Sequence, residues 1–210
     1  MHTESDAATF WEHHYAGLDT ALGTRPNVVL AELVTAFAPG PGTALDLGCG
    51  HGGDALWLAA RGWDVTAVDI SRTALDRVAA RARAEGVSAR VHPARHDLAR
   101  SFPEGAFDLV GASYFHTPVE LPRAAVLRRA AAAVAPGGLL VLVEHASLAP
   151  WSWQVGQDVR FPAPEESLAE LRLGAGWRTE RCDAPRREAT GPQGQRATVT
   201  DNVVVVRRTA

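Results

Sequence analysis

The chain has no lysine: all 21 of its basic residues are arginine. A lysine nucleophile or Schiff base is therefore excluded. We read the shortage as compositional bias in an Ala-, Arg- and Gly-rich sequence, of the kind a GC-rich bacterial genome encodes. Cysteine is scarce as well. Cys49 and Cys182 are the only two, which suits a reducing compartment. No Cys-x-x-Cys pair and no His-Glu-x-x-His run occurs. His13 and His14 are adjacent and point in different directions on a helix, and Pro93 spoils the helical spacing of His92 and His96. No metal is expected. Long apolar runs are missing too: none reaches the roughly eighteen residues that span a bilayer. The N-terminus is polar and acidic, unlike a signal peptide. We expect a cytoplasmic protein with no membrane partner. A net charge of −3 leaves no basic excess for a nucleic-acid partner.

What is present is an ordinary globular composition, 46% hydrophobic over 210 residues, enough for one domain with a substantial core. The most informative stretch is Ala44-Leu-Asp-Leu-Gly-Cys-Gly-His-Gly-Gly53. It reads as a buried strand that breaks into a glycine turn and opens a helix. Gly48, Gly50 and either Gly52 or Gly53 let the backbone reach positive φ and let a ligand approach the main chain. Trp63-Asp-Val-Thr-Ala-Val-Asp69 reads as a second strand. It ends in an acid about twenty residues past the glycines, where ribose hydroxyls need an acceptor.

The spacing predicts further alternation. Strands are expected at residues 43–47, 64–69, 88–92, 107–112 and 138–145. Helices are expected at 5–17 (capped by Ser5 or Asp6), from Thr24 or Asn27 to 37, and at 53–62, 72–85 and 119–134, with Ser71 capping the helix at 72. Such order implies right-handed βαβ crossovers and a mostly parallel sheet covered on both faces. Late in the chain, residues 176–183 and 197–207 read as strands of an antiparallel hairpin at the sheet edge, with turn residues at 190–195. The organisation expected is one domain: a helical cap at 1–37, a ligand-binding core at 43–145, a lid or substrate wall at 146–163, and a helix with the C-terminal hairpin at 164–210.

Asp46 decides between two kinds of nucleoside ligand. A dinucleotide brings an anionic pyrophosphate, which a carboxylate in the strand end repels. S-adenosylmethionine brings an ammonium and a sulfonium, which the same carboxylate attracts. Phe107-Asp-Leu-Val-Gly-Ala-Ser-Tyr114 follows downstream, and then Leu127-Arg-Arg-Ala-Ala-Ala-Ala-Val-Ala-Pro-Gly-Gly-Leu-Leu-Val-Leu-Val143. Together these motifs resemble the class I S-adenosylmethionine-dependent methyltransferases over roughly residues 43–143. That resemblance implies an α/β fold, a Rossmann-like doubly wound seven-stranded sheet of order 3-2-1-4-5-7-6 with strand 7 antiparallel, and an N-terminal helical lid. It also implies that Asp46, Gly48, Cys49, Gly50 and Gly52 surround the methionine end of the cofactor, with Cys49 there as a small side chain that fits the turn. Asp69 then serves the ribose, Ile70, Asp97 and Leu98 the adenine, and Ala112 and Ser113 the sulfonium. Plainer readings remain: the glycines as a structural turn, Asp69 as a helix-capping acid, Asp97 as a loop acid.

Trp11 and Tyr15, at i and i+4, share one helical face. The tellurite-resistance and thiopurine types of small-molecule methyltransferase have a similar aromatic helix followed by a Gly-Arg-Pro-like turn. Here that turn reads Gly23-Thr-Arg-Pro26, so Arg25 is a candidate for the methionine carboxylate. The departure is the stretch Ala21 to Thr24, where an aromatic and a tighter Gly-Arg step are expected. Core packing is the alternative for Trp11. His116 and His145 follow the fourth and fifth strands, and an imidazole titrates near working pH. Both are candidates to orient or deprotonate an acceptor, with loop hydrogen bonding as the alternative for each. Tyr114 is a further catalytic-site candidate, as a pocket wall, and Trp151, Trp153 and Phe161 are candidates to stack on a flat substrate, with packing under a loop as the alternative. No Asn-Pro-Pro-Tyr-type run of the nucleic-acid base methyltransferases occurs. The expected partner is a small-molecule acceptor, and the expected assembly a monomer or homodimer. A cyclase that binds the cofactor without net methyl transfer, a non-catalytic module and an NAD oxidoreductase are the competing readings.

Overall fold

The computed structural model describes residues 6–19, 23–38, 40–152, 155–156 and 160–209. After α1 (Asp6–Gly17) and α2 (Val28–Phe37), the chain alternates. The order is β1 (Thr43–Leu47), α3 (Gly53–Ala59), β2 (Asp64–Asp69), α4 (Arg72–Ala84), β3 (Val91–Arg95), β4 (Phe107–Ser113), α5 (Arg123–Ala132) and β5 (Val134–His145). Helix α6 (Pro164–Glu170) and strands β6 (Trp177–Asp183), β7 (Arg186–Thr190) and β8 (Arg196–Arg208) complete it. Polar caps set the helix starts. Asn27 accepts from the amides of Val29 and Leu30, and Ser71 accepts from Ala74.

The sheet runs β3-β2-β1-β4-β5-β8-β6, the order expected with one added strand. Neighbours from β3 to β5 are parallel, and β8 runs antiparallel to both β5 and β6. The direction of winding reverses between β1 and β4. The loops after those strands therefore diverge and leave a crevice at their carboxyl ends.

Period-two alternation sorts the core onto the two faces. Val141, Val143, Val203 and Val205 meet Leu30, Leu33, Leu56 and Val78 from α2, α3 and α4. Leu140, Leu142, Val204 and Val206 point the other way, against Val126, Leu127 and Ala130 of α5. Val203 to Val206 are all wholly buried, as a run of β-branched residues in a central strand requires.

Three expectations need correction. The third strand starts at Val91 rather than residue 88, because Ser88–Arg90 form a 3-10 turn; Pro93 is tolerated because β3 is an edge. The helix expected at 119–134 is confined to Arg123–Ala132. The hairpin is also different. β8 lies inside the sheet and β6 is the edge, while the turn at 190–195 closes β7 onto the first part of β8, from Arg196 to Thr200. The β7 segment, Arg-Arg-Glu-Ala-Thr, alternates between exposed and half-buried positions. It has no apolar face to announce itself as a strand.

Leu127, fully buried on α5, should carry a large packing load. Leu127→Ala is expected to destabilise the fold by about 2–5 kcal/mol in urea unfolding, whereas Val28→Ala at an exposed position should stay within about 0.5 kcal/mol.

Candidate active site

The turn after β1 must reverse the chain within a few residues. Gly48, Gly50 and Gly52 accomplish this with φ of 68°, 51° and 79°, a region that L side chains rarely adopt. The amide of Cys49 donates to Val68 O at 2.8 Å, which pins the turn to β2. Arg81 donates to His51 O at 2.8 Å and to Thr24 O at 2.9 Å, clamping the turn to the preceding loop. Both glycines that the sequence leaves in contention are needed. A Cβ on Gly52 would lie 2.8 Å from Val78, and one on Gly53 only 2.2 Å from Arg25 O. Gly52 thus serves the packing of α3 on α4 and faces neither cavity described below.

Three carboxylates meet at this turn. Asp69 ends β2; its Oδ2 accepts from Gly50 N at 3.0 Å and its Oδ1 from Ser71 N at 2.9 Å. Burial pushes its carboxyl up to about 6 against those hydrogen bonds. Asp54, at the start of α3, accepts from Asn27 N at 2.6 Å, and burial raises its carboxyl too. Asp46 is raised well above the usual range by burial and then by the charges of Asp54 and Asp69. Its Oδ2 is buried with no hydrogen-bond partner among the described residues. Such a group is costly unless a partner satisfies it, and the neighbouring acids make this corner of the site favourable to a cation.

Two cavities open at the strand ends. The first, about 490 Å³, is lined by Asp69, Ile70, Asp97 and Leu98 with Trp11 and His116. The second, about 640 Å³, is lined by Asp46, Cys49, Gly50, Asp54 and Ser113 with Arg25 and Arg187. Tyr15, Gly48 and Tyr114 line both. Ala112 is buried beneath them and lines neither. Helix α1 covers the junction. Its Glu12 accepts from Ser71 Oγ at 2.8 Å and from Thr73 N at 3.2 Å, at the start of α4. Trp11 and Tyr15 lie 5.8 Å apart, centroid to centroid, on the face turned to the cavities.

Residues 44–138 match a family described as a methyltransferase domain. The stretch that carries the glycine turn and the strand-end acids is thus similar to a methyltransferase domain. A curated relative, Methyltransferase GfsG of Streptomyces halstedii, is 36% identical over 107 residues. That alignment spans 48% of this chain and 36% of the relative, so the match covers about a third of that protein's length. A structure concerned with conversion of a disulfide bond into a thioacetal group during echinomycin biosynthesis superposes with a TM-score of 0.73 at 23% identity. It covers 96% of this chain and 92% of its own. TehB from Haemophilus influenzae gives 0.67 at 18% identity, covering 87% of this chain and 62% of TehB. At these identities the two structures share the fold. The S-adenosylmethionine that the sequence resemblance implies meets residues here that fit it: an orphaned carboxylate oxygen for a cation, and a glycine turn without side chains in the way.

The strand-end candidates divide. Tyr114 has φ of 51°, rare for a non-glycine residue. Its ring stacks on His145 at 3.8 Å with planes 7° apart. Its hydroxyl donates to Asp201 Oδ1 at 3.0 Å and accepts from Arg187 Nη2 at 2.8 Å. Burial and then the charge of Asp201 push the phenol to about 12, so it stays neutral. His145 lies behind Tyr114 and lines neither cavity. His116 lines the first cavity, and its Nε2 is buried with no hydrogen-bond partner among the described residues. Burial, then the charges of Arg123 and His145, lower it to about 4, so this imidazole stays neutral. Phe161 closes on both histidines at 5.3 and 5.8 Å. Trp151 packs at Gly191, in the β7–β8 turn, rather than on a cavity. Trp153 and Ser5 lie outside the described residues.

The sequence reading missed Asp54, Arg187 and Asp201. Asp54 had a signal, an acid in the first turn of a helix. Arg187 and Asp201 had none, since only the pairing of β7 with β8 brings them to Tyr114.

Protonation of Asp69 removes acceptor capacity from the wall of the first cavity, where the sequence reading expects the ribose. S-adenosylhomocysteine affinity should therefore fall as pH drops through about 6, by up to about tenfold per unit for one proton. Calorimetry from pH 5 to 8 checks this. Asp69→Asn should bind more weakly and lose that step, leaving only what Asp46 and Asp54 contribute.

Proposed function

We propose that the protein moves the methyl group of S-adenosylmethionine to an oxygen, nitrogen or sulfur nucleophile of a small molecule. The observation that carries this reading is the buried, partnerless Asp46 Oδ2, set beside a positive-φ glycine turn on a residue that lines the larger of two adjoining cavities. One cavity suits the nucleoside, and the other suits the methionine end together with an acceptor.

Each residue then has a task. Asp69 retains lone pairs after its two backbone bonds and accepts from the ribose hydroxyls. Ile70 and Leu98 flank the adenine, and Asp97 accepts from its amino group. Asp46 and Asp54 face the ammonium, and Arg25 the carboxylate. The main chain at Gly48, Cys49, Gly50 and Ser113 borders the sulfur, with Ala112 as the floor beneath. Trp11 and Tyr15 hold α1 over the junction and keep water out.

When bound, the cofactor supplies a sulfonium-activated methyl carbon. The chain's own work is alignment and exclusion of water. For a protonated nucleophile a base is also needed. Neutral His116, with a free lone pair on Nε2, is suited to accept that proton. Tyr114 is not, because its hydroxyl is committed to Asp201 and Arg187. His145 orients Tyr114 from behind.

Titration of S-adenosylhomocysteine into the protein should give saturable binding, and methyl-labelled S-adenosylmethionine should pass its label to the acceptor. Absence of binding would overturn the cofactor reading. Binding with label that never leaves the cofactor would favour a cyclase-type reaction instead. His116→Ala is expected to lower kcat by about a hundredfold while changing S-adenosylhomocysteine affinity by less than about twofold. Equal losses in both would assign His116 a structural role.

A further inference from the structure

Arg187 stands apart from the cofactor-binding residues. It lies on β7, outside the matched segment at 44–138, and its strand is the one added to the expected sheet order. The side chain nevertheless lines the larger cavity. Its Nε donates to Asp201 Oδ2 at 2.5 Å and its Nη2 to Tyr114 Oη at 2.8 Å. Asp201 is buried to 1% exposure, while the guanidinium side chain remains 27% exposed. One edge of the fork is thus locked by two bonds, and among the described residues nothing accepts from Nη1.

The charges in this cavity can be matched to ligands. Asp46 and Asp54 are a match for an ammonium and a sulfonium, and Arg25 for one carboxylate. Arg187 is a second guanidinium that the cofactor does not need. Held flat by Asp201 and Tyr114, it presents N–H donors in a geometry suited to a planar anion. A paired arginine of this kind has already given up its side-chain freedom, so binding costs less ordering entropy.

We propose that Arg187 selects an acceptor carrying a carboxylate, which its Nη1 edge binds in the larger cavity while Tyr114 forms the adjoining wall. This rests on the cofactor and methyl-transfer reading above, and it specifies the chemical class of the acceptor. The Asp201 carboxylate holds Arg187 in place rather than touching the acceptor.

The test uses protein saturated with S-adenosylhomocysteine, titrated by calorimetry with 4-hydroxybenzoate and with its neutral isostere 4-hydroxybenzamide. The carboxylate should bind at least tenfold more tightly. Arg187→Gln alone leaves Asp201 buried and unpaired and is at risk of misfolding. The double variant Arg187→Gln with Asp201→Asn removes both charges together. It should keep S-adenosylhomocysteine affinity and lose the tenfold preference, and Arg187→Lys should keep part of it. Equal binding of the two probes, no binding of the carboxylate, or a preference that survives in the double variant would overturn the proposal. A protein that fails to take up S-adenosylhomocysteine at all would instead overturn the reading on which it rests.

Discussion

One carboxylate organises the strand ends. Asp69 accepts from Gly50 N on one oxygen and Ser71 N on the other. The glycine turn after β1 and the cap of α4 are thereby tied to the end of β2. Ser71 in turn caps α4 through Ala74 and donates to Glu12 of α1. A single buried side chain thus connects turn, helix start and covering helix. Because it is buried, those bonds are not weakened by competition with water.

The cost of this arrangement is electrostatic. Asp46, Asp54 and Asp69 share a small buried volume, and each is pushed toward its neutral form, first by burial. An apolar core would be easier to fold. On the proposed function, a cationic group beside Asp46 and Asp54 offsets that cost and meets the unmet demand of Asp46 Oδ2. The same physics explains the histidine and the phenol. His116 is kept neutral and unpaired at Nε2, whereas the Tyr114 hydroxyl is kept neutral and bonded. The proposed proton acceptor and the wall are thus distinguished by their hydrogen bonds, although both sit in the chain just past β4.

The flanking pieces act on the two sides of this centre. Helix α1 reaches the nucleoside side through Trp11 and is fastened by Glu12 to Ser71 and Thr73. The β7–β8 hairpin reaches the opposite side through Arg187. Between them, Tyr15 and Tyr114 stand at the junction of the cavities. On the proposed function the core holds the cofactor end, and the additions border what is admitted beside it.

Local pattern carried the core of this account. Alternation of apolar residues, glycines at required positive φ and acids at strand ends are properties of short stretches, so β1, β2, Asp46 and Asp69 were legible in the chain. The charged β7 strand was not, because its pairing with β8 gives it structure that its own residues do not signal. Nor could the sequence separate Gly52 from the cavity-lining glycines, or His116 from His145. Those distinctions depend on Val78 across a helix interface and on the face of Tyr114, contacts made by residues far apart in the chain. The sequence by itself determined the alternation of strands and helices and the acids at the strand ends, since hydrophobic period and backbone freedom act locally; the order of the sheet came only from the family resemblance. Which side chains line the cavities, which are spent on one another, and that Arg187 reaches the site at all were decided only by tertiary packing, because those are matters of distance between elements.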